Sequence, residues 1–334
     1  MKTVDVLIAG AGPAGATCAT LLQRAGHPCL LVDPASFPRD KICGGGLTPS
    51  SWQLLDRLFP GLQYEYLPVR EMSLYIERKY RGTYALDREM RVVVRKDFDN
   101  VLLNEYLKAG GEFLQERVWD IHESEDGTIV VTMQSGLQVR CRYLVGADGA
   151  NSRVRRYLAP DAKADTFIVE QYLPRSGQDR IIGELSRSYD NGYFYIFPNK
   201  KFEATGYVEK HTDVRKLSAI IRDFGLEESA NKGAFIPTEI NYPSHERILL
   251  VGDAGCWCDR ATYEGIHHAI ATGRNAAQAI LEGRPFAEVN KDVMRRKRHR
   301  NKTSRILYSR FGLAALKLIS CSPRLTARIL NRHL

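Results

Sequence analysis

The sequence predicts an α/β fold in which a parallel, helix-covered sheet carries an inserted antiparallel sheet and a helical C-terminal tail. First, an apolar strand at 4–9 runs into a glycine-rich turn and then into a helical pattern. Second, two later apolar strands also end in turns that pair glycine with aspartate. Third, residues 71–94 and 164–241 contain stretches of alternating apolar and polar residues, the period of an antiparallel sheet with one buried face.

The first predicted element is the strand at 4–9, followed by the turn Gly10-Ala-Gly12-Pro-Ala-Gly15. Gly10 allows a tight turn, Gly12 lets the backbone approach a pyrophosphate, and Gly15 lets the helix pack closely on the strand. The next apolar run ends at Asp33, where a carboxylate suits the hydroxyl groups of an adenosine ribose. Together these features predict a dinucleotide site.

The helix that follows is predicted from Pro13 to Arg24. Its N-terminus supplies amide donors and partial positive charge to a diphosphate, so Pro13 and Ala14 are candidate binding residues. The motif alone does not separate FAD from NAD. A tight turn in another kind of α/β protein would have the same pattern.

Two further strand ends, after the apolar runs at 143–147 and 248–251, offer the same chemistry. In each, a carboxylate can accept bonds from ribityl hydroxyls while backbone amides face a phosphate. Either turn alone is also explained as an Asp-capped turn. Three such strand ends in one chain indicate FAD. The candidate residues here are Asp148, Gly252, Asp253, Gly265 and Ile266.

With these corners, residues 1 to about 285 resemble the flavoprotein hydroxylase superfamily, which is p-hydroxybenzoate hydroxylase-like. The resemblance implies a Rossmann-type FAD-binding domain with an inserted antiparallel β-sheet substrate domain and a C-terminal helical tail. The expected domains are three sets of segments: FAD-binding 1–70, 95–160 and 245–285; substrate-binding 71–94 and 161–244; and a basic helical segment 286–334.

Three shorter stretches resemble the geranylgeranyl reductase branch of that superfamily. The loop at 37–47 is similar to the branch's loop beside the flavin, and the stretch at 95–102 to its helix start, where Arg95 approaches FAD. The stretch at 193–198, followed by Gly206, resembles the aromatic strand that lines the prenyl pocket. The loop's candidate cofactor residues are Arg39, Cys43, Gly44 and Gly45.

The chain departs from the branch pattern near the third corner. Cys256, Trp257 and Cys258 replace a Gly-Phe-containing run, Arg260 stands where proline is usual, and Tyr263 where glycine is frequent. The last glycine of the aromatic motif is Val208. We expect Arg260 to alter the wall beside the flavin ring and thereby to affect substrate choice.

The resemblance implies reduction of isolated carbon–carbon double bonds in an isoprenoid chain. An apolar, aromatic-lined cavity suits such a substrate, and Tyr193, Tyr195, Phe197 and Trp257 would provide it. Ordinary sheet core explains the first three equally well. Cys43 lies near cations that favour a thiolate, so a catalytic redox or proton-transfer role is expected; the alternative is a small space-filling residue.

Other functions of the same fold stay open at this point. One is an aromatic-ring monooxygenase, and another is a flavin-bearing electron carrier without substrate turnover, which Arg260 and Tyr263 suggest. The electron donor is expected to be NAD(P)H or a ferredoxin. Since the chain has no second nucleotide fingerprint, a nicotinamide would bind only transiently.

Positive charge is concentrated at the C-terminus. Residues 290–334 contain thirteen Lys or Arg and one acid, a net charge of +12, which leaves −3 for the first 289 residues. This balance argues against a nucleic-acid-binding body. The tail's apolar residues at helical spacing predict a helix on an anionic membrane surface; packing against the body is the alternative. They are Ile306, Leu307, Phe311, Ala314 and Leu318.

Seven cysteines, scattered singly apart from Cys256 and Cys258, form neither a disulfide framework nor a zinc-ligand spacing. We therefore expect no metal site. We take His267 and His268 as structural residues, the alternative being that one of them faces the flavin or its pyrophosphate. No run reaches the roughly 18 to 20 apolar residues that span a bilayer. The expectation is a cytoplasmic monomer, peripheral to the inner face of the plasma membrane through its basic tail.

Overall fold

The computed structural model describes residues 1–161, 166–210, 214–239 and 243–333. This part of the chain contains fifteen strands, which in chain order are β1 (Lys2–Ala9), β2 (Cys29–Asp33), β3 (Gly46–Leu47), β4 (Leu67–Ile76), β5 (Lys79–Val92), β6 (Glu112–Gln115), β7 (Val118–Glu123), β8 (Ile129–Met133), β9 (Gln138–Gly146), β10 (Thr166–Leu173), β11 (Arg180–Leu185), β12 (Tyr193–Pro198), β13 (Glu203–Glu209), β14 (Lys232–Ile236) and β15 (Ile248–Leu250).

The α-helices of the same residues are α1 (Pro13–Arg24), α2 (Pro49–Leu58), α3 (Arg95–Lys108), α4 (Arg153–Leu158), α5 (Val214–Asp223), α6 (Gly265–Glu282), α7 (Phe286–Val289), α8 (Lys291–Leu307), α9 (Arg310–Ile319) and α10 (Pro323–His333). The first matches the predicted helix. A single 3₁₀ turn, Gly252–Gly255, follows β15.

The first sheet has seven strands in the order β6-β2-β1-β9-β8-β7, with β15 beside β9. Strand β1 pairs in parallel with β2 and β9. Parallel pairing requires a crossover that returns the chain to the end of the sheet where β1 begins, and α1 is the crossover to β2. The second half of β1, at 6–9, is buried, as a strand covered on both faces must be. Helix α1 packs on this sheet between α3 and α6.

The second sheet has eight strands in the order β14-β10-β13-β12-β11-β4-β5-β3. Its neighbours are antiparallel except β11 and β4, which are parallel. The α/β class with an inserted, mainly antiparallel sheet and a helical tail is therefore confirmed. The domain boundaries stay a prediction. Strand β3 and the first residues of β4 pair in the second sheet, although 1–70 was assigned to the FAD-binding unit.

The two faces of the second sheet have different covers. On the outer face, Phe194 and Tyr207 pack against Leu217 and Ile220 of α5. On the inner face, Glu170 lies opposite Gly206, and Gly206 opposite Tyr195. Directly opposed residues of neighbouring strands share a face, so this inner row looks away from α5 and toward the first sheet.

Over residues 286–333 the C-terminal tail folds as four helices, α7 to α10, and not as the single helix that the periodicity predicted. Ser309 begins α9, and its side chain accepts a hydrogen bond from the backbone N–H of Gly312. Leu316 of α9 and Leu330 of α10 pack against the apolar cluster that contains Leu74 of the second sheet. Of the expected apolar stripe, Leu307 is half-buried, whereas Ile306, Phe311, Ala314 and Leu318 are exposed.

Arg300 of α8 joins the tail to the body through two buried carboxylates. Its Nη1 lies 3.1 Å from Asp259 Oδ2 and 2.7 Å from Glu264 Oε2. Burial alone would raise the pKa of Glu264 from its ordinary 4.5, whereas His267 and Arg300 lower it to about 2. Arg300 stays charged at neutral pH, but burial lowers the pKa of His267 to about 4.

We predict that Arg300→Met lowers the free energy of unfolding at pH 7 by about 3 kcal/mol, because two buried carboxylates lose their cation. Urea unfolding followed by circular dichroism measures this difference. The exposed Arg298 of the same helix gives the matched control, and Arg298→Met should change stability by less than about 0.5 kcal/mol. Equal stability of the two variants would contradict the prediction.

The same ion pair makes the free energy of unfolding depend on pH. Because the pKa of Glu264 is lowered in the folded state, its contribution is present above pH 4.5 and is lost as the pH falls toward about 2. The stability difference between wild type and Arg300→Met should therefore narrow below pH 4.5.

Candidate active site

A cavity of about 1390 Å³ lies between the first sheet, the inner face of the second sheet and the C-terminal helices. It brings together all but two of the predicted cofactor-binding and substrate-binding residues, the exceptions being Gly15 and Trp257. Those that line it are Gly10, Gly12, Pro13, Ala14, Asp33, Arg39, Cys43, Gly44, Gly45, Arg95, Asp148, Gly252, Asp253, Gly265, Ile266, Tyr193, Tyr195 and Phe197.

The glycine turn forms one end of this cavity through backbone packing. A Cβ atom on Gly10 would lie 2.2 Å from the carbonyl oxygen of Ala147, and one on Gly15 would lie 1.8 Å from that of Gly10. These two glycines let β1, α1 and the second corner approach each other. Gly15 itself is not on the cavity wall, in keeping with a packing role.

Gly12 differs from its two neighbours in the motif. Its φ of −71° is open to any residue, and the nearest atom to a Cβ there would be Arg39 Nη2 at 3.4 Å. The missing side chain therefore leaves space toward the cavity at the N-terminus of α1. That space is where a diphosphate would receive the helix amides.

The acids at the three corners are held differently. Asp33 accepts hydrogen bonds from the backbone N–H groups of Ala11 at 2.8 Å and Ala35 at 2.9 Å, which hold its carboxylate at the turn. Asp253 has one oxygen 4.0 Å from Lys41 Nζ.

Asp148 is occupied by its own turn. Oδ1 accepts the hydroxyl of Ser152 at 2.5 Å, and Oδ2 accepts the N–H of Arg153 at 2.6 Å. Burial raises the pKa of Asp148, and these hydrogen bonds oppose that shift. Both oxygens thus serve the start of α4, so Asp253 is the better placed of the two acids for a cofactor hydroxyl.

The loop at 43–46 packs against the aromatic strand β12. A Cβ on Gly44 would lie 3.0 Å from Phe197 Cδ2, and one on Gly46 would lie 2.6 Å from Phe197 Cε1. Tyr193 holds the next loop, since its hydroxyl donates to the carbonyl of Thr262 at 2.7 Å. The aromatic strand therefore fixes two loops of the cavity as well as forming its wall.

Cys43 is half-buried on the cavity wall beside a buried charge cluster. Its sulfur accepts the backbone N–H of Gly45 at 3.4 Å. Arg95 pairs with Asp99 through two hydrogen bonds of 2.8 Å, and Arg39 Nη2 lies 3.3 Å from the same carboxylate. Burial would lower the pKa of Arg95, but Asp99 and Cys43 raise it, so the guanidinium stays charged.

The structure does not place Trp257 on the cavity. Its ring is buried, Nε1 donates to the carbonyl of Leu250 at 2.8 Å, and the ring meets Phe286 edge to face. The expected substrate contact of Trp257 therefore lacks support. The sequence could not separate this position from the wall because the turn after Gly255 reverses the chain.

Two of the departures from the branch pattern, Arg260 and Tyr263, differ in where their side chains lie. Arg260 Nε donates to Thr238 Oγ1 at 2.8 Å, and its Nη2 lies 2.6 Å from Glu239, away from the cavity wall. The expectation that Arg260 alters this wall is not supported. Tyr263 has a left-handed φ of 55°, which explains why glycine suits this position.

Asp259, Glu264 and His268 offer metal-ligand atoms within 4.8 Å of one another. The guanidinium of Arg300 contacts both carboxylates, and His268 Nδ1 lies 2.6 Å from the carbonyl oxygen of Glu264. The ligand atoms of Asp259, Glu264 and His268 are therefore already engaged by contacts within the protein.

The sequence missed two groups of residues. One is Glu170, which is buried on the inner face of the sheet and accepts the hydroxyl of Tyr195 at 2.5 Å. A carboxylate directly after the apolar run Phe167-Ile-Val169 was the available signal. The other is the apolar lining from the tail helices: Leu307, Leu316, Ile319, Ile329 and Leu330.

The far end of the cavity is apolar. Tyr195, Gly183 and Leu74 lie opposite one another on neighbouring strands and share the inner face, and Gly183 adds no side chain to this row. Met72 and Ile181 line the same region, and the tail helices cover it. One cavity thus joins a glycine-lined end to an apolar end.

A family model described as FAD binding domain matches residues 3–205. The chain belongs to this FAD-binding family. Its cofactor is FAD, and it is an FAD-dependent oxidoreductase. The space beside Gly12, the α1 N-terminus and the acids at the strand ends fit such a group.

Two of three similar proteins carry reductase names. The chain is 31% identical to an uncharacterised protein of Methanosarcina barkeri, covering 84% of this chain and 75% of that one. It is 28% identical to menaquinone reductase of Mycolicibacterium smegmatis, covering 84% and 76%. Against geranylgeranyl diphosphate reductase of Rhodobacter capsulatus the identity is 28%, covering 83% and 75%.

Among solved structures, the fold is similar to a geranylgeranyl bacteriochlorophyll reductase-like protein from Thermoplasma acidophilum. The TM-score is 0.81 at 21% identity, covering 96% of this chain and 92% of that one. The likeness extends over both sheets and the tail.

We predict that Gly12→Val weakens FAD binding at least about tenfold, because the new side chain fills the space where the backbone meets the diphosphate. Titration of apoprotein with FAD, followed by flavin fluorescence, measures the dissociation constant. Ala25→Val, at the exposed end of the same helix, is the control and should bind as wild type. Thermal unfolding of both apoproteins should agree closely, since φ at Gly12 is unstrained; an unchanged FAD affinity for Gly12→Val would refute this role.

Proposed function

We propose that this protein reduces carbon–carbon double bonds in an isoprenoid chain. The observation that carries the proposal is the continuity of the cavity from the loop at 43–46 to an apolar region between the second sheet and the tail helices. An elongated hydrocarbon chain suits this shape and lining. The names of the menaquinone and geranylgeranyl diphosphate reductases support the same substrate class.

FAD, when bound and reduced, supplies a hydride to one carbon of the double bond. The protein's own residues hold the substrate and exclude water. Tyr193, Tyr195 and Phe197 form the wall next to the loop, and Cys43 of that loop lines the same cavity. We assign these three rings to substrate contact and Cys43 to the reacting end of the chain.

A direct test uses the holoenzyme reduced with dithionite under anaerobic conditions. Adding a geranylgeranyl phospholipid should reoxidise the flavin, and mass spectrometry should find two added hydrogen atoms per reduced double bond. The matching saturated lipid is the control and should leave the flavin reduced. If no unsaturated isoprenoid reoxidises it, the proposal fails; lipid-independent oxygen consumption with an aromatic substrate would support the monooxygenase alternative.

We also propose that the tail docks on an anionic membrane, through three of the five apolar residues that the periodicity singled out. Ile306, Phe311 and Leu318 are 68%, 87% and 78% exposed, whereas Leu307 lines the cavity. We call the three exposed residues the tail patch. Exposed basic residues surround it in sequence: Lys302, Arg305, Arg310 and Arg324. No helix among the described residues is both long and apolar enough to cross a bilayer.

Exposed apolar side chains with basic neighbours suit insertion at the level of anionic headgroups. The helices that carry the tail patch also line the cavity through Leu307, Leu316 and Ile319. A docked tail would therefore bring the apolar end of the cavity near the source of a lipid substrate.

We predict that replacing Phe311 and Leu318 together by serine weakens binding to phosphatidylglycerol-containing liposomes at least about tenfold, because two large apolar side chains no longer leave water. Cosedimentation measures the bound fraction. Trp119, which is 56% exposed on β7, provides the control variant Trp119→Ser. Equal sedimentation of both variants would exclude the tail patch as the docking surface.

A further inference from the structure

Glu170 is a buried carboxyl group with one hydrogen-bonded and one unpaired oxygen. Its exposed fraction is 0%, and Oε1 accepts the hydroxyl of Tyr195 at 2.5 Å. Oε2 has no hydrogen-bond partner of ordinary geometry within the part of the chain that the structure describes, although a backbone hydrogen bond from Cys43 to this carboxyl group lowers its pKa. An unpaired oxygen in such a place is costly for a carboxylate and much less so for a carboxylic acid.

Tyr195 connects this carboxyl group to the cavity. Its ring lines the cavity wall, and Cε2 would lie 3.4 Å from a Cβ on Gly44, in the loop beside Cys43. The phenol oxygen thus contacts the buried acid while the ring lies at the end where the cofactor and the substrate meet.

Gly206 provides the room for this contact. It lies opposite both Glu170 and Tyr195 on the central strand of the three. A Cβ there would lie 2.7 Å from Glu170 Cγ and 2.8 Å from Tyr195 Oη. A side chain at Gly206 would therefore collide with both Glu170 and Tyr195, so their contact requires glycine at this position.

Burial favours the protonated form of Glu170 near neutral pH, although the neighbouring charges oppose it. Burial raises the pKa of Glu170 to about 7, against the opposing effects of the Tyr195 hydroxyl, the backbone of Cys43, and the cations Lys41 and Arg95. Tyr172, on the same strand, is a further titratable neighbour, and burial raises its pKa. A substantial share of Glu170 therefore carries a proton at pH 7.

We propose that Glu170 and Tyr195 form a proton-donating pair that supplies the proton for reduction of the double bond. The inference rests on the proposed function. With Glu170 protonated, its O–H donates to the phenol oxygen, and the phenol hydrogen is released toward the cavity. Tyr195 is the residue that contacts the substrate, and Glu170 acts through it.

The transfer balances as follows in atoms and electrons. The hydride, with both electrons, comes from reduced FAD, which is oxidised, and it forms a C–H bond to one alkene carbon. The proton of Tyr195 forms the second C–H bond, and the proton of Glu170 moves to the phenol oxygen. The Glu170 carboxylate that remains takes up a proton from water before the next turnover.

The test measures anaerobic, single-turnover reoxidation of dithionite-reduced holoenzyme by a geranylgeranyl phospholipid between pH 5 and 9. The wild-type rate should fall as the pH rises through about 7, the pKa of Glu170. Glu170→Gln and Tyr195→Phe should each be slower by roughly a hundredfold and lose this pH dependence. The double variant should be no slower than either, since the residues act as one unit.

The matched control is Glu203→Gln, a buried carboxyl group on β13 that binds Ser176 and lies outside the cavity lining. It should keep the wild-type rate and pH profile. All variants should bind FAD and the saturated lipid as wild type, and thermal unfolding verifies that they fold. Tyr195→Phe preserves the ring, so this variant tests the pair if Glu170→Gln does not fold.

A second readout needs no turnover. In the oxidised holoenzyme, a carbonyl band of a protonated carboxyl group should be present in the infrared spectrum, titrate near pH 7 and disappear in Glu170→Gln but persist in Glu203→Gln. Its absence from the wild type overturns the proposed pair.

Different results would contradict the proton-donating pair and the proposed function on which it rests. If wild type reduces the lipid but Glu170→Gln keeps its rate and pH profile, the pair is wrong and the reductase stands. If Cys43→Ala alone removes the pH dependence, the thiol is the donor and the pair is wrong. If wild type reduces no isoprenoid, the proposed function fails and the pair fails with it.

Discussion

Close backbone packing around the N-terminal helix is the constraint on which the rest of the structure depends. A Cβ on Gly15 would lie 1.8 Å from the Gly10 carbonyl oxygen, and one on Gly273 would lie 2.2 Å from that of Ala14. No side chain fits at these contacts, so β1, α1 and α6 approach more closely than ordinary packing allows. This approach places the N-terminus of α1 at the cavity, beside the open face of Gly12. The FAD-binding end of the molecule follows from that placement.

The other end of the cavity is built by elements that are distant in sequence. The inner face of the second sheet supplies one wall, and the tail helices supply the opposite one. Arg300 ties the tail to Asp259 and Glu264, next to the start of α6, which also lines the FAD-binding end. The side of the tail that faces the second sheet is therefore part of the candidate active site. The exposed side of the tail carries the tail patch, so one segment serves both packing and the proposed membrane contact.

Much of the candidate site was predictable because its signals are local. The glycine turn, Asp33 and the corner at Gly252 follow from turn and helix-terminus chemistry within a few residues. Predictions that required knowledge of side-chain direction fared worse. Trp257 points into a packed interior, Arg260 binds Thr238 and Glu239, and both oxygens of Asp148 serve the turn that contains it.

The sequence by itself determined the fold class, the FAD-binding turns and the position of helix α1, since each depends on backbone conformation and on residues near in the chain. Only the tertiary structure decided that Glu170 meets Tyr195 across Gly206, that the tail lines the cavity, and which of its apolar residues face out. These contacts join residues that are separated by many positions. Their geometry depends on strand pairing and on the rotation of each helix, and periodicity alone fixes neither.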